Sequence, residues 1–517
     1  MYRYKRLIGL VLVAFCFVNF TSCDSDKSSQ LVKYDLSADP VNLDPPLADD
    51  PSSALVVTNL FEGLLRLTAD GKVTEGVAED YTVSDDGLTY VFQLRENALW
   101  SDGSPVTAKD FVFGFQRLFD PETGSETAKQ FYCIKNAEAV HSGNADVSAI
   151  GVTADGDYTL TIQLDYVNPM FLTLLTTPAA MPCNQDFFTE SKGRYGLTEE
   201  TIMGNGAYIL KSWSKGEYLA LRKNPQYHSA TPVLNGGVSL YIQPDEEERK
   251  NDFNSENSYA ISVSGDQAEQ FSGKGNNIDE NTNSVWGLVF NRNTTAFSGT
   301  TLAQALTYDM DRSKYETCLP DYLTLADAIV PPAVTLLEKP YRTLAQQVHA
   351  PAYDPNTALS LVQQTYNQLE ISSLTDVTVI LPEGSPHAEV FSYISQTWQK
   401  DLKVYFKVEQ LPREEYETRL AAGDYDCALV ELTGTYNSPE AYMSEFPGVG
   451  GLLLQAQRVS LESSVEYYAQ AEQQILNAGD FLPLYFQANC FITNNSVTGF
   501  IRDISGQIID FKNCEFQ

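Results

Sequence analysis

Apolar and polar side chains alternate most clearly between Leu88 and Arg95. Leu88, Tyr90, Phe92 and Leu94 face one way, and Thr89, Val91, Gln93 and Arg95 the other. A period of two marks a half-buried strand. The same alternation runs through residues 158–165, 377–381 and 403–410, and the apolar run VWGLVFN at 285–291 reads as a strand as well. Elsewhere the spacing is helical. Leu60, Leu64 and Leu67 predict a helix over 59–67. Thr107 and Asp110 form a capping box, Phe111, Phe115, Leu118 and Phe119 share one face behind it, and Asp120-Pro121 ends the helix. Asn168-Pro169 opens an apolar, helix-like segment that Pro178 and Pro182 break. Further helices are predicted at 356–365, at 389–400, at 416–422 before Gly423, and from a cap at Ser463 with Glu466 to Asn477 before Gly479. The helix at 389–400 lies between two predicted strands. That βαβ-like unit implies a parallel sheet covered by helices.

A chain of 517 residues is too long for one core, so two or three lobes are expected. The N-terminus is a targeting segment. Arg3, Lys5 and Arg6 precede an apolar run from Leu7 to Phe20 that is too short to span a membrane. Phe20-Thr21-Ser22-Cys23 then has the small-small-Cys ending of a bacterial lipobox. We expect residues 1–22 to be a signal peptide, Cys23 to carry lipid, and 23–30 to act as a flexible tether. Without that signal the chain holds 31 basic and 68 acidic residues, a net charge of −37. Such acidity argues against nucleic acid and against electrostatic docking on anionic lipid.

Catalytic and metal-binding patterns do not emerge. There is no GxSxG, HExxH or Walker set, and no CxxC among the cysteines. His141, His228, His349 and His387 fall in no ligand spacing. The acidic run at 245–248 reads as a solvated loop. Gly204-Asn205-Gly206 fits a β-turn and neither a phosphate loop nor GxGxxG. We therefore expect no enzyme, no metal and no cofactor.

Residue order carries more. "NLFEGL", "GVAEDYTVSDDGLTYVFQLR" and "WSDGSPVTAKDFVFGFQRLFDPETG", then "GNGAYILKSW" with "GEYLALRKNPQYH", and later "RNTTAFSGTTLAQALTYDMDRSKY", closely resemble the extracytoplasmic peptide-binding proteins of bacterial ABC importers, the oligopeptide- and dipeptide-binding members of solute-binding family 5. The resemblance spans nearly the whole mature chain. It implies an α/β fold of the two-lobed periplasmic-binding class II type with an extra scaffold subdomain. Residues 31–50, 201–284 and 481–517 would form one discontinuous lobe, 51–200 the scaffold lobe, and 285–480 the second wall of the ligand cleft. It also implies partners: a peptide-like solute, two permease subunits and cytoplasmic ATPases, with the protein acting as a lipid-anchored, extracytoplasmic monomer.

The resemblance places Asp39, Val41 and Asn42 in a cleft-lining loop, and Trp286, Asn291 and Tyr436 near the cleft. Core packing fits Trp286 and Tyr436 equally well. The chain also departs from its relatives. After GDYD at 423–426 they carry a Trp and an Asp, and the Asp binds the ligand ammonium. Here Leu432 and Thr435 stand at those positions, and Thr301 and Ala303 replace arginines. A threonine hydroxyl cannot neutralise an ammonium. Either Glu431 or Asp39 supplies the charge, or the ligand is N-blocked or not a peptide.

Overall fold

The computed structural model describes residues 29–517 except 69–70, 230–231, 385, 435, 504–505 and 507. The signal segment, Cys23 and Thr435 lie outside the described residues.

Three sheets organise the chain. Leu31–Leu36, Gly237–Ile242, Tyr218–Lys223 and Tyr208–Ser214 form the first, with the first pair parallel and the rest antiparallel. Ala78–Val83, Thr89–Leu94, Thr159–Gln163 and Val152–Ala154 form the second, antiparallel throughout. The third has seven strands. Ala260–Ser264, Phe481–Thr493, Asn277–Phe290, Cys427–Thr433, Leu374–Pro382 and Val404–Leu411 follow in order, and Leu323–Leu325 pairs with Phe481–Thr493. Its Leu374–Pro382 strand pairs in parallel with both neighbours, and the helix His387–Leu402 makes the crossover, as the βαβ pattern predicts. Both faces of the Leu374–Pro382 strand are buried in its C-terminal half. Val379 and Leu381 enter one core, and Ile380 between them enters another.

The first two sheets share one hydrophobic core. Val32, Leu221 and Val238 pack in the same cluster as Trp100, Phe111 and Phe115. The third sheet has its own cores. Its link to the first is a ladder of two long antiparallel strands, Asn277–Phe290 and Phe481–Thr493, whose register shifts between Asn281 and Ser284. At one end Phe491 belongs to the shared core, and at the other Leu288 and Leu482 belong to the core of the third sheet. The lobe limit expected at 284/285 thus falls within this ladder, and the one at 480/481 at its end.

Several local expectations are met. Thr107 and Asp110 form the capping box of Ala108–Phe119. Gly423 and Gly479 take left-handed conformations at the ends of Arg413–Ala422 and Leu461–Ala478. Others are corrected. The helix expected over 59–67 is Pro51–Leu60, and Leu65–Leu67 is a strand paired to Val73–Glu75. The chain extends at Phe61 because the Leu64 carbonyl is taken by Gly76 N–H and that of Gly63 by Val77 N–H. The segment after Asn168-Pro169 makes only the short helix Phe171–Leu174. Ser460, not Ser463, caps the last long helix, its hydroxyl accepting from Ser463 N–H. The acidic run at 245–248 is no loop. Asp245 caps the helix Glu246–Asn254, and Lys250 bridges back to Glu246 and Glu247. Among the described residues no helix is long and apolar enough to cross a membrane. The six described cysteines are free thiols.

A buried ion pair ties the loop after Leu31–Leu36 to the helix Ala108–Phe119. Arg117 donates to both Asp44 oxygens, at 2.7 and 2.5 Å, beneath the ring of Phe188. Removing one partner strands the other charge, which costs about 3–5 kcal/mol. Asp44→Ala is therefore expected to lower unfolding stability by that amount in urea titrations. A loss below about 1 kcal/mol, the scale of an exposed pair, would contradict this role.

Candidate functional site

Glu62 lies just past the helix Pro51–Leu60, where the chain turns sharply. Asn205 holds that turn. Its Oδ1 accepts from Glu62 N–H at 3.0 Å, and its Nδ2 donates to Glu62 O at 2.8 Å. The flanking glycines let the strands approach. A Cβ on Gly204 would fall 2.0 Å from the Leu60 carbonyl oxygen, so close approach, not a turn alone, requires glycine there. The Glu62 carboxylate accepts from Tyr227 Oη at 2.5 Å and contacts His228 Nε2, and Lys512 Nζ donates to Tyr227 Oη at 3.2 Å. Burial pushes Glu62 upward, but His228, Lys512 and Tyr227 outweigh it and hold the carboxyl below its usual range. Burial also lowers the Lys512 ammonium, with Asp510 and Glu62 acting against the shift.

This cluster forms part of the wall of a cavity of about 750 Å³. Phe61, Met170 and Pro178 supply an apolar wall from residues 51–200. The opposite wall is Leu336, Leu337, Glu338 and Tyr436 from 285–480, and Ile501, Asp510 and Lys512 come from the C-terminal segment. The cavity lies between the shared core and the third sheet. Its walls interlock. Met170 packs against the core of the third sheet, and Tyr436 against the shared core. Its volume suits a small solute.

The residues expected to bind are dispersed. Tyr436 lines the cavity. Asp39 does not, because its carboxylate is spent on Trp213 Nε1 and Gly216 N–H, at 2.8 and 2.7 Å. Val41 is exposed, and Val41 and Asn42 donate their N–H groups to Ser53 Oγ at the start of a helix. Asn291 clamps the turn before Cys427–Thr433 by donating to Gly423 and Tyr425 carbonyls. Leu432 packs against a core of the third sheet. Trp286 and Glu431 are direct cross-strand neighbours away from the cavity lining. The Trp286 and His387 ring centres lie 4.1 Å apart, and His387 Nδ1 is 2.6 Å from Tyr485 Oη. Burial drives His387 down to about 4, so that imidazole is neutral at pH 7. Trp286 Nε1 is buried without a hydrogen-bond partner.

Sequence reading missed Glu62, Tyr227, His228 and Lys512. The first three lie inside the quoted motifs NLFEGL and KNPQYH. Nothing local showed that these motifs meet the C-terminal segment.

The chain matches the family model described as bacterial extracellular solute-binding proteins, family 5 middle, over residues 72–451. It is 25% identical to the oligopeptide-binding protein OppA of Bacillus subtilis (strain 168), covering 95% of this chain and 93% of that protein. It is 26% identical to the "Probable deoxycholate-binding periplasmic protein YgiS" of Escherichia coli (strain K12), covering 91% of this chain and 90% of that protein. Its fold superimposes on peptide-bound OppA of Listeria monocytogenes with a TM-score of 0.77, covering 95% of this chain and 99% of that one. At 22% sequence identity, that last likeness is one of fold.

Across the seam beside the cavity, Tyr166 Oη donates to Gln457 Oε1 at 3.2 Å, Gln457 Nε2 donates to Glu440, and the Arg458 guanidinium lies 4.6 Å from the Tyr166 ring centre. Cys133 and Tyr166 face Glu440 from the scaffold, and Tyr436 and Tyr468 from its own lobe. Burial raises Glu440 to about 7 against an ordinary 4.5, with Gln457 opposing. The folded form therefore holds this proton more tightly than the unfolded chain. Its contribution is complete below pH about 4.5 and is lost as pH rises through about 7. Glu440→Gln is expected to gain stability over the parent between pH 5 and pH 8, on the order of 2–3 kcal/mol. Melting curves showing a difference that does not change with pH would refute it.

Proposed function

Because the chain belongs to the bacterial extracellular solute-binding proteins of family 5, we propose that it is the substrate-binding subunit of an ABC importer, taking an oligopeptide-like solute into the cavity between its lobes. The observation that carries this reading is the cavity of about 750 Å³ between two separately cored bodies. Motion about a two-strand ladder opens and closes such a chamber without unfolding either core. Enclosure excludes water and strengthens each polar contact with the solute. Backbone donors and acceptors of a peptide allow recognition that does not read every side chain.

In this reading no bond is made or broken. Cys23 carries the lipid that keeps the protein at the outer face of the cell membrane. The loaded monomer then docks on two permease subunits served by cytoplasmic ATPases. A second reading, an N-blocked or non-peptide solute, draws support from the apolar wall of Phe61, Met170, Pro178 and Leu336. The relative named for deoxycholate binding supports it too.

The test is a thermal-shift panel on the full mature chain. Free-amine tri- to pentapeptides, their N-acetylated forms and bile acids would be compared. A ligand at a hundred times its Kd stabilises the folded form by about 2.7 kcal/mol. We expect the peptide pool to raise the melting temperature. A shift with bile acids alone would favour the second reading, and no shift with any of them would end both.

A further inference from the structure

Resting on the solute-binding reading above, we propose that Glu338, at the tip of a strained hairpin, is the carboxylate that receives the ammonium group of the solute.

The hairpin is small. Thr335–Leu336 pairs with Lys339–Pro340, and Leu337 and Glu338 make the two-residue turn. Both turn residues are left-handed, at φ 55° and 57°. Two-residue hairpins favour Asn-Gly or similar pairs in this conformation. An ordinary L-residue is disfavoured there because its Cβ crowds the following carbonyl oxygen. Leu-Glu is thus an unfavourable turn, and it is maintained at the cavity wall, which both residues line. Strain of this kind persists where the surrounding structure over-determines the backbone.

The surroundings do so here. Val334 and Tyr341, on either side of the hairpin, are fully buried, and Leu336 nearly so. Thr335 N–H donates to Asn437 Oδ1 at 3.0 Å, and Asn437 Nδ2 donates back to Thr335 Oγ1 at 2.7 Å. Asn437, on the segment after Cys427–Thr433, thus holds the hairpin in place. Ala333 N–H donates to Thr282 O, on the ladder between the lobes. Buried Glu472 accepts from Ile329 and Val330 N–H at 2.8 and 2.9 Å and pairs with Arg342, bracketing the hairpin from both sides. The tip is therefore a fixed feature of the wall.

The charge inventory singles out Glu338. Glu62 is bound by Tyr227 and His228. Asp510 accepts from Lys512 N–H at 2.8 Å. Asp503 accepts from Ile508 N–H at 3.0 Å. Among the described residues that line the cavity, Glu338 is the carboxylate with neither a hydrogen bond nor an ion pair. An ammonium brought into an enclosed site needs a compensating charge. Asp39 is engaged elsewhere, and Glu431 is outside the lining.

The experiment uses the full mature chain and calorimetric titration with two pools of tri- to pentapeptides, one with free amines and one N-acetylated. Acetylated peptides containing lysine are scored apart, which separates an α-ammonium from a side-chain ammonium. Glu338→Gln is expected to lose at least about tenfold in affinity for the ammonium-bearing pool and nothing for acetylated, lysine-free peptides. Glu338→Asp should keep most of the affinity. Leu337→Gly, which relieves the turn and leaves the charge, should keep the preference for free amines. If the parent binds free-amine peptides and Glu338→Gln binds them equally well, the assignment is wrong and the importer reading stands. If the parent binds neither pool, the oligopeptide reading fails and the assignment falls with it.

Discussion

The pairing of Asn277–Phe290 with Phe481–Thr493 is the constraint on which the rest depends. A sheet cannot bend sharply without losing hydrogen bonds, unless a local irregularity absorbs the change. The ladder has one between Asn281 and Ser284. There the side chains of Asn283 and Asn489 hydrogen-bond to each other at 2.8 Å, and Tyr442 Oη donates to Asn283 O at 2.7 Å. These bonds give Asn283 and Asn489 partners where the strands depart from regular register. Each end of the ladder is rooted in a different core. The separation of the cores, and so the chamber between them, follows from that arrangement.

The chamber brings a second constraint. Polar groups in an enclosed space must find partners, because water no longer serves them. The wall formed by Glu62, Tyr227 and Lys512, with His228 against Glu62, obeys this rule with a chain of mutual contacts. Lys512 is 5% exposed, so its charge depends on those neighbours. Such a wall is preorganised and has little capacity left for a guest's charge. The opposite wall is different. It presents apolar side chains and one carboxylate, Glu338, which is exposed to water and held by no neighbouring group.

Much of the local structure was legible from spacing. The capping box at Thr107 and Asp110, the alternation at 88–95, and the glycine ends at Gly423 and Gly479 depend on neighbours in sequence, so a short window contains their cause. The misread elements depended on partners far along the chain. Leu64 and Leu67 have helical spacing, yet contacts with residues 73–77 pull that segment into a strand. The acidic run at 245–248 looked solvated because its cap, Asp245, and its counter-charge, Lys250, become a unit only on a helix.

The amino-acid order alone established the family likeness and the α/β class, since these are properties of order and period. The site was another matter. Asp39 looked like a receptor and proved to be a bracket for Trp213 and Gly216, while the unremarked Leu337-Glu338 pair became a strained turn at the cavity. Which carboxylate is free depends on which others are already paired. That pairing joins Glu62 to residues 227, 228 and 512, and only the folded chain brings those together.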